Sequence, residues 1–359
     1  MSGRLEQRDL FVSGAGGYHT YRIPALAVST GGSLLAFCEG RKHSRADAGE
    51  IDLLLRRSAD GGATWRDVQM VASEPGMTCG NPAPVVDRDT GTIWLPFCKN
   101  RAQGGEALIR KGLFQRTVWL TRSDDDGATW SEPVEITASV KDPSWTWYAT
   151  GPCHGIQLDS GRLLIPCDHR VSAAAERQEA RHSHVIFSDD HGTTWRIGGV
   201  VAQEGTNESA AVETANGAVY LTCRDQGKRG RRCAAWSRDG GASFPEYRWD
   251  DTLIEPACQA SVARLTDERR HDQNRLLFAN PASVTRDTLT VRLSEDEGRM
   301  WSGGAVLHAG PAAYSDLAVT ADLTIHCLYE RGESSPYERL TLARFDLSWL
   351  TAPGEISRS

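Results

Sequence analysis

The chain has 359 residues, with 40 Lys and Arg against 47 Asp and Glu, and a net charge of −7. This mildly acidic balance, without a Lys- or Arg-rich tract, argues against a nucleic-acid-binding protein. No apolar run approaches the roughly 18 residues of a spanning helix, and the first residues contain no apolar signal core, so we expect neither a transmembrane segment nor a secretion signal.

Nine cysteines are scattered between Cys38 and Cys327, with no Cys-x-x-Cys pair. An odd number cannot all be paired, and the spacing typical of zinc ligands is absent. We therefore predict reduced, buried thiols and no metal site. Because no secretion signal is visible and the cysteine usage agrees with a reducing compartment, we expect a cytoplasmic location.

Five copies of one eight-residue pattern, S-x-D-x-G-x-T-W, recur along the chain. They begin at Ser58, Ser123, Ser188, Ser237 and Ser294. The fourth copy ends in Phe244, and the fifth has Met300 in the Thr position. Strand-like apolar segments precede the copies, whereas the polar segment Ser172–Arg181 is predicted to be a short helix in a loop.

The pattern has the chemistry of a hairpin turn. Its Asp can accept hydrogen bonds from the amides of its own turn, its Gly supplies a positive φ, and its aromatic residue can fold back as a plug. One such hairpin per four-stranded blade is typical of a β-propeller. At a spacing of about 60 residues, the chain accommodates six blades. We predict an all-β, six-bladed β-propeller that forms a single domain over residues 1–359.

The five copies resemble the Asp boxes of the sialidase superfamily, which non-enzymatic propellers also carry, so function depends on residues outside them. Three arginines lie in contexts that resemble the family's carboxylate-binding triad: Arg22 in Tyr-Arg-Ile-Pro, Arg224 at the end of a strand, and Arg286 after Asn280–Thr285. The resemblance implies that they bind the carboxylate of sialic acid, because planar guanidinium groups form paired, charge-assisted hydrogen bonds with carboxylates.

Two neighbouring segments resemble the family's nucleophile motifs. Gly310–Leu317 is similar to the Y-S-x-L segment, and Leu-Tyr-Glu follows after one more strand. The resemblance implies that Tyr314 is the nucleophile and that Glu330 holds Arg22 in position.

The segment Asn207–Glu213 resembles the family's V-E-x-x-x-G segment, whose Glu assists the nucleophile. Glu213 is the preferred candidate because it precedes Arg224 across one hairpin, in the family arrangement. Glu208 is the competing candidate.

The charged loop after Cys38 resembles the family segment that carries a substrate-binding Arg and the acid/base Asp. This implies that Arg41 binds substrate and Asp47 is the acid/base, with Glu50 and Asp52 as alternatives.

Peripheral contacts are less specific. Asn81 and the stretch Trp145–Pro152 match family loops near the pocket. Asp168, at a strand end, is a candidate for reading the N-acyl or glycerol arm of the sugar, with a structural role as the alternative.

A tyrosine suits this reaction for an electrostatic reason. A carboxylate would be repelled by the carboxylate on the anomeric carbon, whereas a phenol is neutral until a nearby base takes its proton. The resemblance implies an exo-α-sialidase that acts with retention, without cofactor or metal, on sialylated oligosaccharides, glycoproteins or glycolipids. A catalytically silent glycan- or protein-binding propeller and a trans-sialidase are the alternatives.

Overall fold

The structure, a computed structural model, describes residues 4–171 and 180–352. The strands are β1 (Glu6–Val12), β2 (Thr20–Val28), β3 (Leu34–Arg41), β4 (Ile51–Ser58), β5 (Gln69–Ala72), β6 (Met77–Gly80), β7 (Val85–Val86), β8 (Ile93–Arg101), β9 (Thr117–Ser123), β10 (Val134–Glu135), β11 (Trp145–Thr150), β12 (Ile156–Gln157), β13 (Leu163–Val171), β14 (Arg181–Ser188), β15 (Arg196–Val200), β16 (Thr206–Glu213), β17 (Val219–Asp225), β18 (Arg231–Ser237), β19 (Glu246–Ile254), β20 (Ser261–Thr266), β21 (Arg275–Pro281), β22 (Asp287–Ser294), β23 (Ala305–Val319), β24 (Ile325–Arg331) and β25 (Arg339–Phe345). The helices are α1 (Glu106–Arg110), α2 (Thr137–Val140) and α3 (Leu347–Thr351).

Strand pairing forms successive antiparallel groups of four or five strands, and a single parallel bridge between β4 and β6 joins the first two groups. The groups are β2 to β5; β6 and β7 with β8 to β10; β11 and β12 with β13 to β15; β16 to β19; β20 to β22 with the first half of β23; and the second half of β23 with β24, β25 and β1. The last group is therefore completed by the beginning of the chain, because β1 pairs with β25.

The first strands of the groups contact one another in a closed ring. β2 contacts β7, β7 contacts β12, β12 contacts β16, β16 contacts β20, β20 contacts β23, and β23 contacts β2. Such a ring of antiparallel groups is the arrangement of a β-propeller. The prediction of an all-β propeller is confirmed, and the count of six blades stays a prediction that these groups support.

The Asp boxes form the turns between the third and fourth strands of five groups. In the first box, Ser58 Oγ donates to Asp60 Oδ1 at 2.8 Å and accepts from the amide of Gly62 at 2.8 Å, and Asp60 accepts from the amide of Thr64 at 2.8 Å. The other four boxes repeat the Ser–Asp and Ser–Gly bonds. In the first box the plug is Trp65, which donates to the carbonyl of Gly62. The hairpin-turn prediction is confirmed.

Each box turn also contacts the preceding group, which explains why one position of the pattern is always Gly. A Cβ at Gly127 (φ +79°) would lie 2.7 Å from Leu35 in β3, and one at Gly192 (φ +83°) would overlap the ring of Trp94 in β8. The boxes therefore join neighbouring groups as well as closing their own hairpins.

The nine cysteines are all buried and unpaired. The helix predicted for Ser172–Arg181 falls almost wholly outside the described residues. None of the helices in the part of the chain that the structure describes is long and apolar enough to cross a membrane.

Candidate active site

One end of the ring collects the loops in which the sequence places most candidate residues. We call it the upper end, where β2 begins and β3 ends. Because neighbouring strands are antiparallel, the loops between second and third strands lie at this end, and the Asp boxes lie at the opposite end. The segments 42–50, 226–230, 282–286 and 332–338 therefore surround one region.

The first strands of three groups are irregular where they reach the upper end. Register shifts lie between Arg22 and Ala25 in β2, between Thr206 and Ser209 in β16, and between Ala312 and Ser315 in β23. Bulges of this kind bend a strand and re-aim its side chains. In β2 the bulge contains Ile23 at φ +59°, a conformation that β-branched residues rarely adopt, and its amide donates to Glu330 at 3.0 Å. The bulges lie at Arg22, Glu208 and Tyr314.

Tyr314, Glu208 and Arg224 form one hydrogen-bonded group. The Tyr314 hydroxyl donates to Glu208 Oε1 at 2.5 Å, and Arg224 Nη1 donates to Glu208 Oε2 at 2.6 Å and to the Tyr314 oxygen at 3.0 Å. Burial raises the pKa of Tyr314 well above its ordinary value, and the charge of Glu208 adds to this, so the resting phenol is protonated. The arrangement pairs a protonated phenol with a carboxylate able to take its proton.

The preference for Glu213 over Glu208 is corrected by this geometry. Glu213 ends β16 at the lower end of the ring, where its carboxylate accepts from the amide of Asp159 at 2.7 Å. It lines a cavity of about 990 Å³ at that end, and neither Tyr314 nor Arg224 is among the lining residues. The physical reason is strand register: β16 and β17 pair Ser209 with Cys223, so Glu208, rather than Glu213, lies beside Arg224.

The three predicted arginines all face Tyr314. The guanidinium groups of Arg22 and Arg286 lie 5.0 and 5.4 Å from the centroid of its ring, and Arg224 bonds to its hydroxyl. Glu330, which is fully buried, accepts from Arg22 Nε at 3.0 Å and Nη2 at 3.3 Å, and also from the amide of Tyr314 at 3.2 Å. One carboxylate thus fixes the strand of Tyr314 relative to that of Arg22.

Asp47 is the carboxylate of its loop that contacts the arginines of the site. Its Oδ1 accepts from Arg41 Nη1 at 2.8 Å and Arg22 Nη1 at 3.2 Å, and its side chain is 75% exposed. Partial loss of water by itself would raise the pKa of Asp47, but the charges of Arg41 and Arg22 outweigh it and hold that pKa below its usual range. The alternatives point elsewhere, since Glu50 and Asp52 both pair with Lys42.

In the described part of the chain, the hydrogen-bond partners of Asn81 and Asp168 are protein groups other than Tyr314 and Arg224. The amide of Asn81 donates to Glu39 Oε1 at 2.9 Å, and its side-chain oxygen accepts from Arg116. Asp168 is 1% exposed, and its Oδ2 accepts from Asn207 Nδ2 at 2.8 Å. Burial, with the nearby charge of Glu208 second, raises the pKa of Asp168 well above its ordinary value. Contact of either residue with substrate stays a prediction.

Two residues of the site were missed in the sequence. Glu39 accepts from Arg41 Nε at 3.0 Å and Nη2 at 2.7 Å. The sequence could have predicted this pair, because residues two apart on a strand share a face. Tyr337 contacts Arg22 and Arg286 from a polar loop that carries no motif.

Among the described residues, one group has ligand atoms close enough to share a metal ion: Asp87, Asp89 and His191. Asp87 and His191 bond to each other at 2.9 Å, and Gln157 donates to both carboxylates. This group lies at the lower end beside an Asp box, apart from Tyr314.

Comparison with known proteins identifies the family. A model described as "BNR repeat-like domain" matches residues 32–327. The chain is 36% identical to "Sialidase" of Micromonospora viridifaciens over 96% of its own length, and spans about half (54%) of that protein. It is 34% identical to "Exo-alpha-sialidase" of Aspergillus fumigatus, covering 97% of this chain and 89% of that one. The solved "Hadza microbial sialidase Hz136" superposes with a TM-score of 0.84 at 31% identity, covering 96% of this chain and 69% of the other. The chain therefore belongs to the sialidase family of BNR-repeat proteins.

Proposed function

We propose that this chain is an exo-α-sialidase that releases terminal α-linked sialic acids from glycoconjugates with retention of configuration. The observation that carries the proposal is the 2.5 Å hydrogen bond from Tyr314 to Glu208, with Arg224 bonded to both. Family membership supports the same activity, since the relatives named above are sialidases.

In the first step, Tyr314 Oη attacks the anomeric carbon while Glu208 takes the phenolic proton. Asp47 gives a proton to the aglycone oxygen as the glycosidic bond breaks, which leaves a covalent sialyl–tyrosine ketoside in which Tyr314 Oη is bonded to the anomeric carbon. In the second step, water attacks the anomeric carbon, Asp47 takes a proton from the water, and the phenol recovers its proton from Glu208. Two displacements at one carbon give net retention.

The electrostatics around Asp47 suit this exchange. An acid in the first step must be protonated, yet Asp47 lies against two guanidinium groups that favour its ionised form. A substrate carboxylate entering among Arg22, Arg224 and Arg286 offsets part of that positive charge, so the pKa of Asp47 rises when substrate binds. Binding of the correct anion thereby favours protonation of the acid.

The test is release of 4-methylumbelliferone from its α-N-acetylneuraminic acid glycoside by the purified protein, with the anomer of the first product read by NMR. Release of the α-anomer supports the proposal. A folded protein that releases nothing from this glycoside, or from deaminated and N-glycolyl analogues, contradicts it and favours a glycan-binding propeller. Transfer to added lactose in place of hydrolysis would identify a trans-sialidase.

Two further properties remain predictions from the sequence. We propose sialylated oligosaccharides, glycoproteins or glycolipids as substrates, supported by the family. We also propose a cytoplasmic location, and the buried, unpaired thiols support the reducing compartment that this requires.

A further inference from the structure

Tyr337, in the loop between β24 and β25, contacts two of the three arginines that face Tyr314. Arg286 Nη1 donates to its hydroxyl at 2.8 Å, and the guanidinium of Arg22 lies 4.3 Å from the centroid of its ring. Its side chain also packs against the buried cluster that contains Tyr314. One residue therefore joins Arg22, Arg286 and the surroundings of the nucleophile.

Arg286 depends on this contact more than the other two arginines depend on theirs. Arg22 pairs with Glu330, and Arg224 pairs with Glu208. Within the part of the chain that the structure describes, Arg286 has no carboxylate at ion-pair distance; besides Tyr337, its guanidinium donates to the carbonyl of Ala257 at 3.3 Å. Its position is therefore set by neutral groups.

A neutral partner has a consequence for binding an anion. A phenol oxygen accepts a hydrogen bond, and an aromatic face attracts a cation, without supplying a negative charge. A carboxylate in the place of Tyr337 would hold Arg286 equally well, but would compete with a substrate carboxylate for the same guanidinium. Tyr337 orders Arg286 and contacts Arg22 without adding a negative charge beside either guanidinium.

The loop that carries Tyr337 is held in place by hydrogen bonds within the protein. The carboxylate of Glu338 accepts from three consecutive backbone amides of segment 333–335, at 3.1, 2.8 and 2.9 Å. Ser13 Oγ donates to the carbonyl of Tyr337 at 2.8 Å. A side chain held by the protein's own contacts loses less entropy when a ligand binds.

We propose that Tyr337 is a positioning residue for recognition of the substrate carboxylate, acting through Arg286 and Arg22. The identity of the anion rests on the proposed function, but the inference concerns binding and does not require turnover.

The test compares Tyr337→Phe, which keeps the ring and removes the acceptor, with Tyr337→Leu, which removes both. The ligands are 2-deoxy-2,3-didehydro-N-acetylneuraminic acid, measured by calorimetry, and its uncharged methyl ester, measured by saturation-transfer NMR. We expect the Phe variant to bind the acid about tenfold more weakly and the Leu variant more weakly still, because a hydrogen bond to a charged group is lost and then a cation–π contact. The ester should change by less than about twofold.

Turnover gives a second readout. Because the carboxylate is held in both the ground state and the transition state, KM should rise about tenfold in Tyr337→Phe while kcat stays within about twofold. Tyr247→Phe, at an exposed tyrosine on β19, is the matched control, and near-ultraviolet circular dichroism reports folding.

Unchanged affinity of the Phe variant for the acid would overturn the inference, and so would equal weakening of the acid and the ester. A wild-type protein that binds the acid but hydrolyses no sialoside would contradict the proposed function alone, since the comparison of binding would still be made.

Discussion

Replacing each of the two glutamates of β16 by glutamine tests which one assists Tyr314. Glu208 and Glu213 lie on the same strand, five residues apart, or about 16 Å at roughly 3.3 Å per residue. A proton transfer needs heavy atoms within about 3 Å, and Glu208 meets this condition at 2.5 Å. Only the Glu208→Gln substitution should therefore slow the chemical step.

The expected magnitude follows from losing a general base while keeping the shape of the side chain. Removing such a group typically costs about 10²- to 10⁴-fold in rate, or roughly 3 to 5 kcal/mol in activation free energy. Glu208→Gln should fall in this range for kcat, because an amide can accept the hydrogen bond of Tyr314 but cannot take its proton. Glu213→Gln should stay within about twofold of wild type.

The assay is steady-state hydrolysis of the 4-methylumbelliferyl sialoside at several pH values, with thermal melting to show that each variant is folded. A Glu208→Gln variant with near-normal kcat would show that Glu208 is not the base. A hundredfold loss in Glu213→Gln with an unchanged melting temperature would contradict the assignment equally, because it would mean that the lower end of the ring takes part in the chemistry.

Three further outcomes are expected. Tyr314→Phe should keep the fold and lose about a thousandfold in kcat, since no oxygen remains to form the covalent bond; stopped-flow release of umbelliferone would show turnover near wild type if another group were the nucleophile. Asp47→Asn should lower kcat/KM about a hundredfold for sialyllactose but much less for the umbelliferyl glycoside, whose aglycone leaves with little protonation; equal losses on both would rule out the acid role. Gly192→Ala should lower the free energy of unfolding in urea by about 2 kcal/mol more than Gly32→Ala does. Both glycines have a similar positive φ, but only a Cβ at Gly192 would overlap the ring of Trp94. Equal losses of stability would mean that the contact between Gly192 and Trp94 does not contribute to the free energy of unfolding.

The Asp boxes were predictable because their chemistry is local. Ser58, Asp60 and Gly62 bond to one another within a single turn, so their spacing along the chain is enough to identify the hairpin. The recurrence of the pattern then predicts repeated antiparallel groups. What the pattern does not reveal is that each turn rests on the preceding group, as Gly192 does on Trp94.

Hairpin register distinguishes Glu208 from Glu213 as the neighbour of Arg224. Glu208 and Arg224 are equally distant from Asn216 in the turn between β16 and β17, so hairpin register could have placed them side by side. The V-E-x-x-x-G motif alone, without the pairing register of β16 and β17, favours Glu213. The bulge that turns Glu208 toward Tyr314, however, has no sequence signal that we can identify.

By itself the sequence determined the class of fold, the positions of the five Asp-box hairpins and most of the charged groups of the site, because turn chemistry and strand alternation act over a few residues. Tertiary structure decided which of those groups meet. Tyr314 and Glu208 are separated by most of two groups along the chain, and Tyr337 reaches Arg286 from another loop. Such contacts depend on the closure of the ring and on bulges in three of its first strands, because these bring together side chains that are far apart along the chain.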